Sequence, residues 1–143
     1  MLIDIKNLDL IELISERHSL LRRNVEQRWN ESNALHISKS EWYIIARIYG
    51  DQRTIAYVSK NVEITRQATH KLIKNMVVKG LVEVFDAEHN KKEKCIRLTE
   101  IGNDCYKENE QIKLRLEQEL ATIMGQSQVD MLKIFLNSDW PFE

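Results

Sequence analysis

The sequence predicts a mainly α-helical chain of the α+β class, with one small β-hairpin set between helices. Three observations carry this. Only four glycines and one proline occur in 143 residues, and helix breakers this scarce favour long helices joined by short loops. Apolar residues recur at spacings of three and four in several separate stretches, as in helices that turn one face to a core. Between Leu81 and Leu98 the apolar period drops to two, as a pair of short strands requires.

The first helix is expected from about Asp9 to Asn30, where Leu10, Ile14, His18, Leu21, Val25 and Trp29 form one stripe. Ser38 and Glu41 have the spacing of a capping box, so a second helix opens there and stops at Gly50-Asp51. Thr54 can cap a short third helix carrying Ile55 and Val58. Thr65 suits the N-cap of a fourth, Arg66 to Lys79, with Ala68, Leu72, Ile73, Met76 and Val77 inward and Gly80 as the left-handed stop. Leu81–Phe85 and Lys94–Leu98 read as strands, and the charged stretch 86–93 between them reads as an extended hairpin tip. Thr99 caps a fifth helix of roughly 25 residues that Gly125 breaks, and a last helix begins near Ser127.

This order is a helix-turn-helix followed by a β-wing at 37–98. An N-terminal dimerisation helix (1–36) and C-terminal dimerisation helices (99–143) flank it, the whole forming one intertwined domain. The flanking helices carry long apolar stripes that so small a winged unit cannot cover. At about 25 cal/mol per Å², leaving such stripes wet is costly, and pairing with a second copy in closed two-fold symmetry removes the cost.

Composition excludes several classes. With 43% hydrophobic and 30% charged residues the chain matches soluble globular domains. No apolar run approaches the length of a membrane span, and the first residues lack the pattern of a secretory signal, so a cytoplasmic location is expected. Cys95 and Cys105 are too few for a disulfide framework. His36, His70 and His89 have no metal-ligand spacing, and no nucleophile elbow, phosphate loop or paired catalytic carboxylates occur. No enzyme activity, metal or cofactor is expected.

The formal net charge of −1 hides an asymmetry. Residues 53–97 hold ten Lys/Arg against five acids, a formal +5, leaving −6 for the remainder. A basic middle suggests a polyanionic partner, although solvated faces can cluster charge by chance. Within it, Thr65 opens the fourth helix, whose polar face offers Arg66, Lys71 and Lys74 as cations and Gln67 and His70 as shorter readers of base edges. The plain alternative is an amphipathic helix with a solvated face. The preceding helix and the wing shift the balance toward DNA.

Ile64-Thr65-Arg66-Gln67-Ala68-Thr69-His70-Lys71-Leu72, continuing to Lys79-Gly80-Leu81-Val82, resembles the recognition helix and wing entry of the MarR family of bacterial regulators. Ile96-Arg97-Leu98-Thr99-Glu100-Ile101-Gly102 is similar to that family's signature after the wing. The resemblance implies a homodimeric winged-helix transcriptional regulator of double-stranded DNA, a repressor at a pseudo-palindromic operator that a small-molecule effector releases. In the wing the family's Asp-x-Arg is replaced by Asn90-Lys91-Lys92. Lysine lacks the planar fork of arginine, so the wing is expected to neutralise phosphate more than to read a narrow minor groove.

Two further readings stay open. His18, with Trp29, Trp42 and Tyr43 as aromatic walls, suits an effector crevice, while helical spacing of aromatics is also the ordinary sign of a core. A winged-helix adaptor that binds protein and never DNA is the alternative function, and the salt dependence of duplex binding separates the two.

Overall fold

The computed structural model describes residues 6–62 and 64–142, with the side chains of Asn90 and Lys91 excepted. The elements run α1 (Leu10–Ser32), α2 (Lys39–Ile48), β1 (Arg53–Thr54), α3 (Ile55–Asn61), α4 (Arg66–Val78), β2 (Val82–Ala87), β3 (Asn90–Leu98), α5 (Glu100–Met124) and α6 (Gln126–Asn137). This is a winged helix in which helices dominate, with a small three-stranded antiparallel sheet. The chain divides into two compact units: one reaches up to Trp29 and resumes at Glu110, and the other is Asn30–Asn109. The breaks thus fall at 29/30 and 109/110.

The 30–109 unit is built on capped helices. The Ser38 side chain accepts from the Glu41 amide at 3.2 Å, and Glu41 Oε1 accepts from the Ser38 amide at 2.9 Å, completing the capping box. Thr54 and Thr65 accept from the amides three residues on, opening α3 and α4. The core gathers Ile44, Ile45, Ile48, Val58, Met76, Leu81 and Ile96, all fully buried.

Two details of α4 differ from the pattern. Val77 is 43% exposed rather than inward, and Thr69 is fully buried in its place. Thr69 can sit there because its hydroxyl donates to the Thr65 carbonyl at 3.0 Å, which satisfies the polar group inside the helix itself. At the other end Gly80, with φ of +78°, takes the left-handed position. Its amide bonds the Val77 carbonyl and the Leu81 amide bonds the Met76 carbonyl, the two bonds of a Schellman stop.

The sheet has three antiparallel strands in the order β1-β3-β2. The strands run further than their apolar residues indicate: regular pairing continues to Asp86 opposite Lys94, the register then shifts so that Ala87 pairs with Asn90, and Glu88-His89 make the turn, leaving 91–93 without a partner in the register. As far as Asp86 the polar ladder is supported by opposed charges that pair across it, Glu83 opposite Arg97 and Asp86 opposite Lys94, with an ion pair in each case. The two-residue β1, opposite Ile96 and Cys95, had no signal of its own.

The wing runs directly into α5. Thr99 Oγ1 accepts from the Gly102 amide at 3.1 Å and donates to the Gly80 carbonyl at 2.6 Å, while the Thr99 amide donates to the Leu81 carbonyl. A Cβ at Gly102 would lie 2.1 Å from that Leu81 carbonyl oxygen, so the close approach of helix and turn requires glycine.

In the other unit an ion pair between Arg28 and Glu119 ties α1 to α5, and Lys133 reaches Glu117 at 2.7 Å to tie α6 to α5. Trp29, Ile112 and Val129 are buried. Much of the remaining apolar surface is not: Ile11, Ile123, Met131, Ile134, Phe135 and Leu136 are all at least half exposed. Among the described residues no helix is long and apolar enough to cross a membrane.

Candidate nucleic-acid interface

The polar face of α4 is where the sequence places a reading surface, and its side chains stand in solvent. Thr65, Arg66, Gln67, His70, Lys71 and Lys74 are all exposed. Positions 66, 70 and 74 follow one another at four-residue steps, and 67, 70, 71 and 74 lie beside them at three and four, so all share one side of the helix. The opposite side holds Thr69, Ile73 and Met76, which are buried. The helix is thus fixed by its inner face and leaves its outer face free to meet a partner.

Electrostatics separate this face from the rest of the basic segment. Arg53 pairs with Asp51, Lys79 with Glu41, Lys94 with Asp86 and Arg97 with Glu83. Four of the ten cations counted in the sequence are therefore already partnered. Among the described residues, Arg66, Lys71 and Lys74 form no such pair. Asp51 and Glu41 lie outside residues 53–97, so the formal +5 overstates the charge a polyanion would meet, while Arg66, Lys71 and Lys74 set three cations on one helix.

On the wing, Lys92 is exposed on β3 and Arg97 lies over the Phe85 ring at 4.5 Å. The side chains of Asn90 and Lys91 lie outside the described residues. The expected wing contacts can be placed only as far as the backbone, which puts Asn90 first in β3 directly after the turn.

The four residues considered for an effector crevice divide between the units, His18 and Trp29 in one, Trp42 and Tyr43 in the other. His18 lines a groove of about 260 Å³ between α1 and α5, with Leu21, Val25, Leu116 and Leu120 as its apolar walls. Trp29 is buried and Trp42 half-buried. Tyr43 is exposed, and its hydroxyl takes a hydrogen bond from Arg47, whose guanidinium also lies 4.7 Å over the ring. Arg47 is held above its usual range first by that hydrogen bond and then by the charge of Tyr43.

Both cysteines are buried. Burial first, then Glu108 and Asp104, push the Cys105 thiol up, which opposes the thiolate that an oxidant sensor needs. Among the described residues no three His, Cys, Asp or Glu are grouped to hold a metal.

The residue pair that sequence reasoning missed is Glu41 with Lys79. Glu41 was legible as a capping residue and Lys79 as a surface cation. Their ion pair, 38 residues apart in sequence, left no local signal.

No family model and no curated protein matches the sequence. Solved structures do. Wild-type apo MarR from E. coli is similar at a TM-score of 0.75 and 20% identity, over 92% of this chain and 96% of that one. MepR, a transcription regulator of the Staphylococcus aureus multidrug efflux pump MepA, is similar at 0.74 and 17%, over 90% and 94%. A MepR variant bound to an oligodeoxyribonucleotide gives 0.68 and 17%, over 91% and 94%. The fold, followed along almost the whole chain, is the MarR-type winged helix.

Proposed function

We propose that this chain is a MarR-family transcriptional regulator that binds double-stranded DNA sequence-specifically as a homodimer. The carrying observation is the outer face of α4, where Arg66, Gln67, His70, Lys71 and Lys74 are exposed and the three cations have no carboxylate partner among the described residues. A helix of this kind presents cations to phosphates and short polar side chains to base edges in a major groove. The wing, through Asn90, Lys91 and Lys92, adds a phosphate clamp beside it. Two copies joined through α1, α5 and α6 present two such helices to successive grooves of a pseudo-palindromic operator. The similarity to MarR and MepR supports this reading.

The regulator acts as a repressor in the cytoplasm and is released when an effector shifts the spacing of its two reading helices. His18, Trp29, Trp42 and Tyr43 remain the candidates for that effector.

The decisive experiment is in vitro selection of binding sites, followed by titration of the selected duplex at several salt concentrations. A selected palindrome bound with a steep negative salt slope is expected. The Lys91→Ala, Lys92→Ala double variant should lower that slope by up to ~1.8, at ~0.9 for each phosphate no longer neutralised. Absence of any selected sequence, together with flat salt dependence, would favour an adaptor that binds protein instead.

A further inference from the structure

Glu41 is one of the few charged side chains that the fold has buried, 2% exposed at the start of α2. Its Oε1 accepts two hydrogen bonds, from the Ser38 amide at 2.9 Å and from Lys79 Nζ at 2.7 Å. Lys79 Nζ donates a second bond to the His36 carbonyl at 2.8 Å. Lys79 is the C-cap residue of α4, immediately before the left-handed Gly80. One ammonium thus ties the end of the candidate reading helix to two points at the N-terminal end of α2. Glu41 Oε2 is buried with no hydrogen-bond partner, so the arrangement is not the cheapest way to fill this space.

Glu41 is buried while Lys79 stays 26% exposed, and an ion pair with a buried partner gains little stability over an apolar pair of the same volume, because desolvation cancels most of the attraction. What it supplies is direction. A leucine–methionine contact tolerates sliding, whereas an ammonium held by a carboxylate oxygen and a carbonyl oxygen is confined by the narrow distance range of both hydrogen bonds. Capping alone does not need the charge either, since glutamine serves as well at that position.

We propose that Glu41 and Lys79 are positioning residues for DNA reading: they lock the C-terminal end of α4 onto α2 and so set the angle at which Gln67 and His70 meet the bases. This rests on the reading of α4 as the recognition helix. Base-edge hydrogen bonds depend steeply on geometry, and phosphate attraction does not. Loosening the lock therefore lowers discrimination between sequences more than it lowers overall affinity.

The test compares wild type with Lys79→Met, Lys79→Arg and Glu41→Gln. Each dissociation constant is measured on the selected duplex and on a scrambled duplex, well below the melting temperature of every variant. Lys79→Met and Glu41→Gln should each reduce the ratio of scrambled to selected dissociation constants by tenfold or more. Binding to the scrambled duplex should change less than threefold, and Lys79→Arg should keep most of the ratio. An unchanged ratio in Lys79→Met, with only a lower melting temperature, overturns the proposal and leaves the pair a stability element.

Amide hydrogen exchange supplies a readout that needs no DNA. The last turn of α4 should exchange faster in Lys79→Met than in Lys79→Arg, and equal rates would overturn the lock. If wild type selects no duplex at all, the DNA reading of α4 fails, while the exchange comparison still decides whether the pair fixes the helix.

Discussion

Gln67 and His70 stand one turn apart on the exposed side of α4, without the length or permanent charge of the lysines beside them. Short polar groups on such a helix suit base edges, so Gln67→Ala and His70→Ala should each cost about 1–3 kcal/mol on a selected site and little on random duplex. Equal losses on both would reassign these residues to backbone positioning. Glu41 makes a different prediction, about acid. Burial raises its pKa, but the hydrogen bonds from Lys79 and Ser38 and the charge of Lys79 outweigh that, and the net shift is downward. A carboxyl with a lowered folded-state pKa contributes stability above its unfolded value and loses it as pH falls through the folded one. The wild-type protein should lose stability as pH drops below the ordinary carboxylate range. In Glu41→Gln, urea midpoints measured between about pH 6 and pH 3 should fall less steeply.

At the scale of elements, the junction of wing and α5 is the most tightly specified place in the 30–109 unit. Thr99 bonds Gly80, Leu81 and Gly102 together, and Gly102 lets the helix backbone approach the Leu81 carbonyl. A methyl at Gly102 meets backbone atoms, which cannot rotate aside as a side chain can. Gly102→Ala should therefore destabilise by about 1–3 kcal/mol or more, the usual cost of overpacking, despite alanine's better helix propensity. Thermal unfolding reads this directly: a variant as stable as wild type would mean that α5 can shift away from the turn freely. The wing illustrates the opposite balance. Its strands are mostly polar, so their length follows from backbone pairing and the two cross-strand ion pairs rather than from a hydrophobic pattern.

For the whole molecule the dominant feature is the apolar surface left on α1, α5 and α6. Ile123 is 82% exposed and Phe135 60%, and their neighbours on α6 are similarly open. So many exposed large apolar side chains on three helices point to an interaction surface. Sedimentation at micromolar concentration should give about twice the 16.9 kDa of one chain. Charged substitutions at Ile134 and Phe135 should shift the protein toward monomer. A clean monomer in the wild type would remove the basis for two half-sites one turn of DNA apart.

The amino-acid sequence alone set where most of the helices begin and stop. Ser38 with Glu41, Thr54, Thr65, Thr99, Gly80 and Gly125 are local signals, and each acts within a few residues of its own position. It also determined which side of α4 faces outward at Arg66, Gln67, His70, Lys71 and Lys74, because helical periodicity is a property of neighbours in sequence. The fold settled what depends on distant residues meeting. It withdrew Lys79, Arg53, Lys94 and Arg97 from the basic patch by pairing them, and it extended β2 and β3 past their apolar residues. It also created β1 against Ile96 and buried Thr69 in place of Val77. In these cases the deciding energy is a hydrogen bond, an ion pair or a packing contact between residues that pattern alone does not bring together. Charge is the sharpest instance: a lysine reads the same in sequence whether it faces a phosphate or a buried glutamate, and only the fold supplies its partner.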